Sequence, residues 1–187
     1  MSLFRKISSL FLPQPPTHKM AEDLYWKIVD KARHKALYID FGIKDTVDGR
    51  FDSVMLHIFP LLRFLQRNNE NSLATEILNV MISDMDRSLR QSGVGDPSIA
   101  RKMRKIGEAY MGRAEAYQKA FDALPERKLL EDALFRNVYR SDDALKENIC
   151  LLTEYMISYY QGYENYSLGD MLPCVDPVHV MEKQNVD

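Results

Sequence analysis

Three groupings in the 187-residue chain have side chains of the types and spacings that do chemistry. The densest is Asp45-Thr-Val-Asp-Gly-Arg-Phe-Asp52, where Asp48 and Asp52 offer hard carboxylate oxygens of the kind that hold a divalent cation. All-α isoprenoid enzymes bind magnesium diphosphate through paired aspartates on facing helices, so a second acidic cluster would be required. Asp84-Met-Asp86 is the candidate, but side chains at i and i+2 of a helix point roughly 200° apart. No DDxxD spacing occurs. Capping and ion pairing explain these aspartates better than a metal does. Asp48-Gly49 reads as a tight turn, with Asp48 capping a helix that starts near Arg50.

The nucleophiles and bases form no working set. His57 lies one residue off an apolar stripe, a place for a hydrogen-bonded boundary residue rather than a ligand or base. His18, His34 and His179 have no HxxxH or HxH partner, and no glycine elbow surrounds a serine or cysteine. GxGxxG and GxxxxGK[ST] loops are absent, and Gly93-Val94-Gly95 follows a helix rather than a strand. No catalytic residue, metal or cofactor is expected. Cys150 and Cys174 lack CxxC spacing and fit a reducing compartment, as small apolar residues.

The third grouping is basic. Arg101-Lys102-Met-Arg104-Lys105 sits at the start of a predicted helix, where the partial positive charge of the N-terminus makes cations unfavourable. That placement points to an anionic partner: phosphate, lipid headgroup, RNA or an acidic protein segment. Pairing with Asp84, Asp86 or an acidic tail is the plainer alternative. Met81, Met85, Met103 and Met111, among ten methionines, lie near the adjoining Gly93–Asp96 hairpin and suit an adaptable apolar surface or simple core filling.

Helices must place these groups, because apolar residues recur at three and four throughout and nothing alternates with period two. Leu24, Tyr25, Ile28, Val29, Ala32 and Leu37 predict a helix over about 20–38, ended by Gly42. Phe51, Val54, Met55, Ile58, Phe59, Leu62 and Leu65 predict a second, with Pro60 inside it and a kink expected there. A third follows Leu73 to Leu89. The fourth opens at Asp96 as N-cap, with Pro97 at the first helical position, and is ended by Pro125. A fifth covers about 126–139, and a sixth runs from a Ser141 cap to about Tyr163. The fold class is all-α: a single-domain helical bundle of about six helices, one with a proline kink. A short N-terminal amphipathic helix and an irregular acidic C-terminal tail flank it.

Composition bounds the partners. Twenty-five basic residues against 27 acidic give a formal charge of −2, which disfavours DNA or any general nucleic-acid surface. No apolar run approaches the roughly 20 residues that cross a bilayer. Charge is nonetheless segregated, with +3 over residues 1–20 and −7 over 141–187. In the first segment Leu3, Phe4, Ile7, Leu10 and Phe11 share one face beside Arg5 and Lys6, a membrane-contact candidate or a terminus packed on the core. Pro13, Pro15 and Pro16 form a stiff spacer after it. The organisation is thus an amphipathic segment with its spacer over 1–16, an all-α domain over 17–165 and an acidic tail over 166–187.

Three stretches carry a resemblance. Residues 45–57 (Asp-Thr-Val-Asp-Gly-Arg-Phe-Asp-Ser-Val-Met-Leu-His), 84–96 (Asp-Met-Asp-Arg-Ser-Leu-Arg-Gln-Ser-Gly-Val-Gly-Asp) and 102–113 (Lys-Met-Arg-Lys-Ile-Gly-Glu-Ala-Tyr-Met-Gly-Arg), with Tyr117, resemble the ubiquinol–cytochrome c chaperone family in order and spacing. The resemblance covers about 20–165. It implies a non-catalytic, all-α assembly factor for ubiquinol–cytochrome c reductase (complex III) that acts on newly made cytochrome b. It also implies possible contact with the ribosome near the exit tunnel. Chains without a presequence look like alphaproteobacterial members. The location implied is cytoplasmic and peripheral to the inner membrane, or the matrix side of the mitochondrion in a eukaryote. Asp48, Arg50, His57, Arg87, Arg90, Lys102, Lys105, Arg113 and Tyr117 become the partner-binding candidates, with the basic members facing client or ribosome. An all-α prenyl- or quinone-ligand-binding protein or enzyme of isoprenoid-synthase type stands as the alternative. It requires a deep apolar cavity with the aspartate clusters facing each other across its mouth.

Overall fold

The computed structural model describes residues 17–91, 93 and 95–164. The N-terminal candidates Leu3, Phe4, Ile7, Leu10 and Phe11 and the tail over 166–187 lie outside these. Among the described residues seven α-helices follow in order: α1 (His18–Ala32), α2 (Lys35–Ile39), α3 (Val47–Arg67), α4 (Asn71–Gln91), α5 (Asp96–Asp122), α6 (Lys128–Asn137) and α7 (Glu147–Glu164), with a 3₁₀ turn at Asp143–Leu145 before the last. There is no strand among the described residues. The fold is an all-α bundle, as periodicity predicts.

Helix α3 is its axis and packs against α1, α4, α5 and α7. Every residue from Asp52 to Leu62 is buried, polar ones included. A helix surrounded on all sides buries its whole circumference, so the stripe that looked amphipathic in sequence has no outer face here. Pro60 is tolerated inside it. Phe59, Phe121 and Tyr160 stack in line, with ring centroids 5.9 and 4.2 Å apart, and tie α3 to α5 and α7.

Several boundaries differ from the sequence reading, each for a local reason. The first helix breaks at Arg33-His34, where His34 turns extended and caps α2 by accepting from the Ala36 amide. The carbonyl of Ala32, freed at that break, accepts from Ser53 Oγ (2.7 Å) and the Tyr38 hydroxyl (2.8 Å). Thr46 rather than Asp48 caps α3, accepting from the Gly49 amide at 3.1 Å. Gly49 is not a turn residue; it lies inside the first helical turn, where a Cβ would stand 1.9 Å from the Lys44 carbonyl oxygen. Gly95, not Asp96, is the N-cap of α5. Ser141 caps nothing, because it and Arg140 both have left-handed backbones (φ +58° and +56°) in the turn before the 3₁₀ segment. Cys150 is exposed, against the expectation of a buried thiol.

Among the described residues no helix is long and apolar enough to cross a membrane.

Candidate functional site

The N-terminal half of α3 meets α1, α4 and α5 without closing the space between them. The result is a groove of about 580 Å³. Its apolar surface comes from one or two residues per helix: Val29 on α1, Phe51 and Val54 on α3, Met85 and Leu89 on α4, and Ile106 on α5. Each is the neighbour, at helical spacing, of a residue that packs the core. Val47, at the first position of α3, stands 83% exposed on the rim.

Cations ring this apolar surface. Arg33, Arg50, Lys105, Arg113 and Arg140 line the groove, against Asp48 and Asp84. Beneath them the Asp52 carboxylate is fully buried, and each of its oxygens is held by one guanidinium. Arg113 Nε donates to Oδ1 at 2.8 Å and its Nη2 lies 2.7 Å away, while Arg140 Nη2 donates to Oδ2 at 2.7 Å. Burial pushes the Asp52 carboxyl up, to about 6, and the two guanidiniums pull against that rise. Arg113 also donates to the Ala109 carbonyl and lies 5.3 Å from the centre of the Phe51 ring. On the opposite wall the Tyr25 hydroxyl donates to Asp84 at 2.8 Å, tying α1 to α4. At the rim Asp45 binds Arg50, and that ion pair holds the Asp45 carboxyl below its ordinary range.

The nine partner-binding candidates divide into three places. Asp48, Arg50, Lys105 and Arg113 line the groove together. Arg87, Arg90 and Lys102 are exposed along the α4–α5 hairpin outside the lining, and Arg90 pairs with Asp86 one turn away at 2.7 Å. His57 and Tyr117 are in the core at 0% exposure. His57 is therefore not the boundary residue its position suggests. The Ser53 carbonyl can only accept, so Nδ1 carries the proton and donates to it at 2.7 Å, and Nε2 accepts from the Tyr155 hydroxyl at 2.7 Å. Burial drives its basicity down, to about 4, so the ring is neutral at neutral pH.

Two groove cations, Arg33 and Arg140, escaped the sequence reading. Arg33 falls at the break between α1 and α2, and Arg140 is delivered by the left-handed turn. Arg33 reads in sequence as one more charge on the polar face of the 20–38 helix, and Arg140 belongs to no cluster or periodic face. An unexplained arginine beside a turn is the sole signal the sequence offers.

The aspartates do not form a cation site. Asp48 and Asp84 share the groove, but Asp52 is neutralised by two arginines and Asp86 pairs with Arg90. Among the described residues no three His, Cys, Asp or Glu side chains come together as metal ligands would. The arrangement suits an anionic, partly apolar occupant.

A solved structure described as the Cbp3 homolog from Brucella abortus is similar to this chain, with 30% sequence identity, coverage of 90% of each chain and a TM-score of 0.73. No curated protein matches. The ubiquinol-cytochrome C chaperone family matches over residues 39–172, a span that holds all three motifs and most of the groove. On this match, the chain belongs to the ubiquinol–cytochrome c chaperone family.

Proposed function

We propose that the chain receives a segment of newly made cytochrome b in this groove and holds it during assembly of ubiquinol–cytochrome c reductase. The observation that carries the reading is convergence. Three motifs far apart in sequence put Asp48, Arg50, Met85, Leu89, Lys105 and Arg113 around one apolar trough. An unassembled membrane-protein segment must be kept from water by apolar contact yet released later. An open groove with a polar rim does both, and Met85 in its wall adapts to varied side chains. No bond is made or broken, so the function is non-catalytic.

The exposed cations Arg87, Lys102 and Lys105 extend the basic rim along the hairpin. They give the protein a face for anionic headgroups at the inner membrane or for ribosomal RNA near the exit tunnel. The amphipathic segment around Leu3, Phe4, Ile7, Leu10 and Phe11 would add weak membrane affinity.

A photo-crosslinking residue in place of Val47, at the exposed rim, tests the client in cells. Cytochrome b should be the product recovered; a soluble metabolic enzyme in its place would overturn the reading. Reversing Lys102 and Lys105 to Glu should lower complex III while the purified protein keeps its melting temperature. Unchanged complex III would remove this surface from the function.

A further inference from the structure

We infer that the groove recognises a carboxylate: the client segment it holds is apolar but carries an acidic side chain that lands between Lys105 and Arg140. The inference rests on the client-groove reading and adds the chemistry by which the groove chooses one segment over another.

Charge complementarity argues for it. Five cations line a trough against two carboxylates, Asp48 and Asp84, with Tyr25 and Ser88 as its uncharged hydroxyl-bearing residues. Part of that positive charge has an internal purpose. Arg113 is committed to Asp52, the Ala109 carbonyl and the Phe51 ring, and Arg50 is committed to Asp45. Arg33 and Lys105 are different: both are exposed at the groove, and among the described residues no ion pair occurs with Arg33 or with Lys105. Of the two, Lys105 has cationic neighbours. It stands on α5, whose N-terminal half already carries Arg101, Lys102 and Arg104. Among the described residues no carboxylate pairs with this further cation.

Arg140 is the second half of the site. It contacts Asp52 through Nη2 at 2.7 Å and lies 3.8 Å from the exposed Asp48 carboxylate, yet 42% of its side chain stays exposed at the groove. It reaches that place through two consecutive non-glycine residues in the left-handed region, Arg140 itself and Ser141, a conformation that disfavours any side chain with a Cβ. Neutralising Asp52 alone does not call for this, because Arg113 already meets that carboxylate at 2.7–2.8 Å. Placed instead as a fork at the groove wall, Arg140 can take a second carboxylate from the occupant while Asp52 fixes its orientation. The neighbouring Phe51, Met85 and Ile106 would bury the apolar residues that flank the acid.

A lipid offers the same combination of acyl chain and anion, but the polypeptide is favoured. The groove is open along the helices and is walled by side chains from four of them, which suits an extended or helical segment.

The test uses the full-length chain and fluorescent peptides tiling cytochrome b from the same source. Each tile that binds is remade with its Asp or Glu replaced by Asn or Gln. Affinities are measured for the wild type and for Lys105→Met, which keeps the apolar stem and removes the charge. A binding tile should weaken about ten-fold on amidation and about ten-fold with Lys105→Met, and the two changes together should cost scarcely more than either alone. Additive losses, or no loss on amidation while Leu89→Arg, at a half-buried lining position, abolishes binding with its melting temperature kept, would overturn the carboxylate inference and leave the client groove standing. Binding that survives Leu89→Arg unchanged would overturn both. Displacement of every tile by phosphatidylglycerol vesicles would assign the groove to lipid. A rise in tile affinity when Asp170, Asp176, Glu182 and Asp187 are neutralised would assign its cations to the chain's own tail.

Discussion

Replacing His57 by Gln should remove a pH dependence of stability that the buried ring imposes. In the folded protein burial lowers the ring's pKa from 6.5 to about 4. The unfolded chain therefore takes the proton first. The contribution is complete above pH 6.5 and is lost as pH falls toward 4, and the loss reaches about 3 kcal/mol below both values. At pH 5 the same two values give a loss of about 2 kcal/mol relative to pH 8. Asp52 works in the opposite sense. Its carboxyl is raised to about 6, so the folded state binds that proton first and gains stability as pH falls below 6. A wild-type profile alone would show the two in partial cancellation. The difference between wild type and His57→Gln isolates the ring, since a constant loss of packing or of the Tyr155 hydrogen bond cancels across pH. Urea unfolding followed by far-UV circular dichroism at pH 5, 6, 7 and 8 supplies that difference. The gap should shrink by about 2 kcal/mol between pH 8 and pH 5. A gap constant to within about 0.5 kcal/mol would refute the neutral, Nδ1-protonated ring deduced from Ser53 and Tyr155.

Asp52→Ala leaves Arg113, only 11% exposed, facing Arg140 with no counter-charge, and should cost about 3–5 kcal/mol by denaturant unfolding. Arg140→Ala keeps the Arg113 pair, removes a half-exposed partner and should cost much less in the same assay. Gly49→Ala drives a methyl into the Lys44 carbonyl and should lower stability by about 1–3 kcal/mol or more. Gly107→Ala, on the exposed face of α5 with nothing within 4 Å of the added carbon, should raise it by up to about 1 kcal/mol. The two alanines, read by thermal melting, separate a glycine required by close approach from one the bundle does not need.

Helical periodicity and proline punctuation are local properties, and they were legible from residues alone. The apolar steps from Phe51 to Leu65 mark α3, and Pro97 marks the start of α5 to within one residue. The three motifs were equally visible as strings, and through them the family resemblance. Their sharing of one groove was not, because helix periodicity says which residues lie on a face and nothing about which face meets which. The burial of α3 on every side, which took His57 from boundary to core, depends on four neighbours arriving from elsewhere in the chain. Arg33 and Arg140 stand at the groove for the same reason: a helix break and a left-handed turn carry them there, and no periodic signal marks where either break falls. Sequence determined the rods and the charges they carry, and placed some of their ends, such as the start of α5, to within a residue. Tertiary packing decided which cations were spent on Asp52 and Asp45 and which were left facing the groove, because an ion pair is settled by distance in space, and only the folded chain sets that distance.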